Sequence, residues 1–251
     1  MYIHETVVHN TRAAEQVVPE IFKYVKPTSV LDVGCGIGTW LQVVKKYGVE
    51  KIKGVDGDYV NREQLFENVL PQEFVAYDLT RPFDLQEQFD LVICLEVAEH
   101  LPPESAEDFI NSLCRHSDMI IFGAAIPGQG GQNHLNEQWS EYWIKLFADN
   151  GYVVYDVIRP IIWENQSVEW WYRQNMFLFT KKTFIHNQNL PAYASVIHPE
   201  HFKQKLQYIY KQSELLQKLK NELEKWETGK MGVRKHWSTF ISSIISKFFG
   251  S

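Results

Sequence analysis

No apolar run in the 251-residue chain exceeds six residues, far short of the roughly 20 needed to cross a bilayer, so no membrane-spanning helix is expected. Cysteine is scarce. Cys35, Cys94 and Cys114 are an odd number in a long chain, and two fall within or beside apolar runs of strand character. They read as buried thiols, and their spacing excludes a disulfide framework and a zinc-type Cys/His site. An excess of positive charge is also missing, since 25 Lys and Arg face 31 Asp and Glu for a net −6. Neutralising phosphates takes clustered cations, so no nucleic-acid partner is expected. The opening MYIHETVVHNTRAAE has neither the basic nor the apolar region of a secretion signal, which makes the cytoplasm the expected compartment.

What is present is a globular composition, 45% hydrophobic and 22% charged, with enough apolar residues to form a core. Short β-rich runs, expected as strands at 29–33, 52–55, 73–76, 91–95 and 119–122, alternate with helical segments at 39–47, 61–68 and 104–115. That alternation predicts a parallel sheet covered on both faces. A helix capped by Ser140 runs to Asn150, and two strands follow, near 152–162 and 174–180, without a helix-length segment between them. Such strands must pair antiparallel. The expected fold is therefore α/β: a doubly wound, mostly parallel seven-stranded sheet ending in an antiparallel hairpin over residues 1–182. A linker at 183–200 and a helical extension at 201–251 complete it.

The strongest local signal is Asp32-Val33-Gly34-Cys35-Gly36-Ile37-Gly38, where a β-run ends in glycines that let the backbone turn tightly and approach a ligand at a helix start. Two cofactors use such a turn. A dinucleotide calls for G-x-G-x-x-G and places a pyrophosphate at the helix N-terminus, but here the third glycine comes one residue early and Asp32 faces the turn. An acid there repels pyrophosphate and suits a ligand carrying an ammonium and a sulfonium, S-adenosylmethionine. Asp56, ending the second strand about 20 residues on, suits ribose hydroxyls in either cofactor. Asp78, after the third strand, is placed to accept from an adenine amino group.

With these residues the chain resembles the class I S-adenosylmethionine-dependent methyltransferases over roughly residues 1–182. The matching positions are Asp32 to Gly38, Asp56, the Asp78-Leu79 pair, and Leu95-Glu96-Val97-Ala98-Glu99-His100-Leu101 after the fourth strand. The resemblance implies S-adenosylmethionine as cofactor, held by Asp32, Gly34, Gly36, Gly38, Asp56, Asp78, Leu79, Leu95 and Glu96. A nucleotide-binding domain whose glycines only turn the chain is the plain alternative.

Methyl transfer from a sulfonium needs an aligned acceptor and, for a hydroxyl, a base near pH 7, for which histidine is the default. Of nine histidines, His100 and His134 follow the fourth and fifth strands, at the ligand-binding edge of such sheets. His134 sits in the polar, glycine-rich stretch 128–139 and is the candidate base, with His100 beside it; either histidine can instead brace its own loop. Glu96 and Glu99 bind or orient. A metal held by His134 and Glu137 is the minor reading, and no metal is expected. Trp139, Trp143, Trp163, Trp170 and Trp171 crowd positions 139–171. They suit a sugar or planar acceptor, unless they only pack the sheet.

Residues 228–251 carry four cations and no acid, a local +4 that leaves −10 on residues 1–227. Apolar residues near a heptad step over 201–226 suit a short coiled coil, open to a homo-oligomer contact, or a helix laid on the domain, and Trp237, Phe240, Ile241, Ile244, Ile245, Phe248 and Phe249 form one apolar face. With basic residues upstream, that face suits peripheral membrane contact through 230–251 or packing on protein. The combined expectation is methyl transfer to an oxygen or nitrogen of a sugar or glycan in surface polysaccharide biosynthesis. Its rival is a catalytically silent methyltransferase-like subunit that binds a partner or membrane through its C-terminal helices.

Overall fold

The computed structural model describes residues 10–181 and 195–227. Its strands are β1 (Ser29–Val33), β2 (Lys51–Asp56), β3 (Phe74–Ala76), β4 (Leu91–Leu95), β5 (Met119–Gly123), β6 (Val153–Tyr155) and β7 (Phe177–Thr180). They form one sheet in the order β3-β2-β1-β4-β5-β7-β6. The first five run parallel, and β7 lies antiparallel between β5 and β6. The helices are α1 (Arg12–Ile21), α2 (Thr39–Lys46), α3 (Arg62–Asn68), α4 (Ala106–His116), α5 (Ser140–Asp149), α6 (Arg159–Ile162), α7 (Trp170–Asn175) and α8 (Pro199–Glu227).

The central strands are buried on both faces, which is why they read as dense apolar runs. Successive side chains then serve two different cores. Val30 and Ile93 join Ala14, Val18, Leu41 and Val44 on the α1–α2 side. Leu31, Val92 and Cys94 join Phe109, Leu113, Trp143 and Phe147 on the α4–α5 side. Cys35, Cys94 and Cys114 are buried free thiols. Helix α1 has no counterpart in the elements expected from sequence, although Ala13, Ala14, Val17, Val18 and Ile21 mark its buried stripe.

Two local expectations need correction. The segments read as long strands at 152–162 and 174–180 shrink to β6 and β7, and α6 and α7 fill the connection between them. Pro160 sits in the first turn of α6, where its missing N–H costs no helical bond. Arg159 is pinned there by Asp156 at 2.6 Å. Ser140 is the first residue of α5 and not its cap, a position held by Trp139 without a side-chain capping bond. Antiparallel pairing of the last two strands holds nonetheless.

The chain divides into compact units at His201, with the second running from Phe202. Helix α8 begins at Pro199, inside the segment expected as linker. The amphipathic stretch 233–249, the membrane-contact segment 230–251 and most of the 183–200 linker lie outside the described residues. Among the described residues no helix is long and apolar enough to cross a membrane.

Candidate active site

Strand order reverses on either side of β1, and a doubly wound sheet opens a crevice beyond the carboxyl ends of its strands at such a switch point. The glycine turn, Glu96, Glu99, His100 and His134 follow β1, β4 and β5 at that edge. Beyond β1, Gly34, Gly36 and Gly38 all take positive φ, at 79°, 51° and 78°. A Cβ at Gly34 would stand 2.2 Å from Val97 Cγ2, so the turn that follows β1 presses directly on the segment that follows β4. Only glycine satisfies both demands.

Two buried acids flank this turn. Asp56 accepts the Gly36 N–H at 2.7 Å through Oδ2, and the Gly57 N–H at 2.6 Å and the Tyr59 O–H at 2.8 Å through Oδ1. It therefore braces the turn in addition to any ribose contact. Asp32 is buried, and its Oδ2 has no hydrogen-bond partner. Burial, and then the charge of Asp56, push its carboxyl up to about 8. A buried carboxyl with an open acceptor beside a second acid is matched by a cationic ligand group and mismatched by a pyrophosphate. The turn and its two acids thus suit the ammonium-bearing cofactor expected from sequence better than a dinucleotide. Asp78 is exposed, bonded to the Thr80 N–H and O–H at 3.1 and 2.7 Å and paired with Arg81 at 3.4 Å. Leu79 is buried in the α4–α5 core, and Leu95, half-buried, ends β4.

After β4 the backbone makes an unusual move. Glu96 has φ of 56°, a conformation costing a non-glycine residue of order 1–3 kcal/mol. Its N–H is anchored to the Gly123 carbonyl at 2.8 Å. The turn aims its carboxylate at two amides, Gln129 Nε2 at 2.7 Å and Asn175 Nδ2 at 2.9 Å. Burial raises the Glu96 carboxyl, and the two amides moderate the shift. Three residues on, Glu99 is fully buried, with the Ala125 backbone and the Glu96 carboxyl as its polar neighbours. Burial and the charge of Glu96 push it well above the carboxylate range.

The two candidate histidines meet here. The rings of His100 and His134 lie edge to face, 4.8 Å between centroids. Burial, and then His134, lower His100 to about 4, so it is a neutral imidazole at physiological pH. His134 Nδ1 is bonded to Glu137 Oε1 at 2.8 Å, and Glu137 also accepts the N–H groups of Gly128 at 2.7 Å and Gly130 at 2.6 Å. One carboxylate therefore shapes the glycine-rich loop and orients the ring. The loop is tied down by the Glu99 carbonyl, which accepts the Leu135 and Asn136 N–H groups at 2.7 and 3.0 Å. Glu99, His100 and His134 each offer a ligand atom within 4.8 Å of the others, a grouping able to hold a metal ion.

Sequence reasoning missed the amides that hold this site. Asn175 Nδ2 also reaches Gln129 Oε1 at 2.9 Å, Gln174 Nε2 reaches Asn175 Oδ1 at 3.1 Å, and Gln174 Oε1 accepts from the His198 N–H at 2.8 Å and lies 3.1 Å from His201 Nδ1. Two adjacent amides just before the apolar run 176–179 were the available signal. The tryptophans divide. Trp143 packs on Phe122 in the core and Trp170 stacks on His201 at 4.5 Å, the plain packing reading, whereas Trp139 is exposed.

Comparison with known proteins agrees with this geometry. Residues 8–122 match the model of a family described as a methyltransferase domain. Over 113 residues the chain is 29% identical to a ubiquinone biosynthesis O-methyltransferase of Neisseria meningitidis, a match covering 42% of this chain and 48% of that protein. It is 28% identical over 131 residues to norajmaline N-methyltransferase of Rauvolfia serpentina, covering 44% and 42%. The chain thus spans about half the length of the curated relatives it matches. The crystal structure of a sugar N-methyltransferase from Streptoalloteichus sp. ATCC 53650 shares the fold, with a TM-score of 0.55 and 15% identity over 73% of this chain and 96% of that one. The matched model is that of a methyltransferase domain over residues 8–122, and the fold is shared with a solved methyltransferase. The chain is thus similar both to a protein named as an O-methyltransferase and to one named as an N-methyltransferase, and the likeness does not single out one acceptor atom.

Proposed function

We propose that the protein transfers a methyl group from S-adenosylmethionine to an oxygen or nitrogen of a small-molecule acceptor, with a sugar or glycan of surface polysaccharide as the preferred class. The observation that carries this reading is the contact of the Gly34 turn with Val97, which makes the Asp32 pocket and the Glu96–His134 cluster neighbours. The cofactor supplies the methyl group on its sulfonium. Asp32 faces its ammonium, the glycine turn admits its backbone-hugging part, Asp56 serves the ribose, and Asp78, Leu79, Leu95 and Glu96 complete the pocket. His134, held at Nδ1 by Glu137, and His100 handle the acceptor proton. A ring-bearing acceptor is supported by the exposed Trp139 at the end of the glycine-rich loop, whose face suits a sugar.

The same reading puts self-association on 201–226 and contact with the inner face of a membrane on the basic, apolar segment 230–251. The test incubates the full chain and methyl-labelled S-adenosylmethionine with a panel of sugar nucleotides and glycans. Label should enter one acceptor class, and His134→Ala should cut the maximal rate roughly 10²- to 10⁴-fold with cofactor affinity nearly unchanged. Cofactor binding without transfer to any acceptor would favour the silent-subunit reading.

A further inference from the structure

The acid–histidine cluster has a feature that proton handling by a histidine leaves unexplained. Glu99 is fully buried, and the polar groups that reach it are the Ala125 backbone and the Glu96 carboxyl, neither of them a cation. A carboxylate so placed is strongly disfavoured unless a positive charge meets it. No Lys or Arg does so in the hydrogen bonds and ion pairs of the described residues. What stands beside it instead are two imidazoles, with all three ligand atoms within 4.8 Å of one another.

We infer that Glu99, His100 and His134 form a binding site for one divalent transition-metal cation, whose open positions receive an oxygen of the acceptor. The inference rests on the reading of this cluster as the acceptor end of the methyl-transfer site, and it makes the two histidines ligands that act on the acceptor proton through the cation instead of taking it themselves. Two imidazoles and one carboxylate are a donor set suited to Mn²⁺, Fe²⁺ or Zn²⁺, and three protein ligands leave coordination positions free. Ligand atoms around one such ion stand about 3 to 4 Å apart, given bonds of about 2.1 Å, so small side-chain rotations draw the observed grouping onto one centre. The surroundings match. Glu137 holds His134 Nδ1 at 2.8 Å, the carboxylate-to-imidazole bond that fixes the tautomer of a metal-ligating histidine and leaves Nε2 to the ion. Glu96 adds a second buried acid whose position is set by Gln129 and Asn175. A cation here lowers the pKa of an acceptor hydroxyl, whose proton is released to solvent, and compensates the buried acids. The favoured acceptor is accordingly an oxygen nucleophile.

The experiment uses untagged full-length protein stripped with EDTA and titrated with Mn²⁺, read by electron paramagnetic resonance, and with Zn²⁺, read by calorimetry. One equivalent should bind per chain. Glu99→Gln and His134→Asn should each weaken binding at least roughly tenfold, and Glu137→Gln about 10- to 100-fold by freeing the ring. Affinity for S-adenosylhomocysteine should hold in all three, which shows that they fold and keeps this test separate from that of the cofactor pocket. Binding of S-adenosylhomocysteine with no Mn²⁺ or Zn²⁺ bound would overturn the metal site and leave the methyl-transfer reading standing. Stoichiometric metal binding undiminished by Glu99→Gln and His134→Asn would also overturn it.

Discussion

At the scale of single residues, Asp32 carries the sharpest consequence. With its folded-state carboxyl near 8 against 3.8 for the ordinary group, the proton is bound more tightly in the folded than in the unfolded chain. The stability it contributes is full below about pH 4 and is lost progressively as pH rises towards 8, at about 1.4 kcal/mol for each pH unit crossed. Thermal melts of the cofactor-free protein from pH 5 to 8 should show this decline, and Asp32→Asn should flatten it. An unchanged slope in the variant would remove Asp32 as its source. Asp56 differs because its oxygens hold Gly36, Gly57 and Tyr59. Asp56→Ala should therefore lower fold stability by about 2 to 4 kcal/mol, as well as weakening the cofactor, since three bonds to a buried charge go at once. Denaturant unfolding of the variant measures the loss.

At the scale of elements, the sheet was legible and the connections were not. The buried parallel strands announce themselves as apolar runs, and β1 and β4 coincide with the ranges read from sequence. The β6–β7 connection misled because Val154, Tyr155, Val157, Ile158 and Ile162 are all buried and mimic a strand, whereas Arg159 and Pro160 open a helical turn within the run. His100 and His134 could be placed at the sheet edge from sequence, since loops after β4 and β5 must gather there. Their meeting with Glu99 could not, because it depends on Glu137 folding the 128–137 loop back and on the bonds from Leu135 and Asn136 to the Glu99 carbonyl. Gln129 and Asn175 escaped notice for the same reason, as partners from distant segments that converge only on Glu96. Asn175→Ala removes one of the two amides on Glu96 and should lower turnover more than S-adenosylhomocysteine affinity, because Gln129 still holds Glu96 at the cofactor edge. Steady-state kinetics beside calorimetry separates the two readouts, and a parallel fall in both would make Asn175 a support of the whole pocket.

At the scale of the whole molecule, α8 carries an apolar stripe that stands exposed among the described residues. Phe202, Ile209, Leu216 and Leu223 recur at steps of seven, and each is more than half exposed, the spacing by which one helix meets another. Sedimentation of the full chain should show a dimer, and Ile209→Glu with Leu216→Glu should yield a monomer; a wild-type monomer at tens of micromolar would discard the seam. The methyl-transfer reading and its acceptor chemistry presuppose a filled donor pocket, with S-adenosylmethionine between Asp32 and the glycine turn. Calorimetric titration of the full chain with S-adenosylmethionine tests this directly. Saturable binding of one equivalent is predicted, weakened by about 1 to 3 kcal/mol in Asp32→Asn. An absence of binding, or equal affinity in wild type and Asp32→Asn, would contradict it.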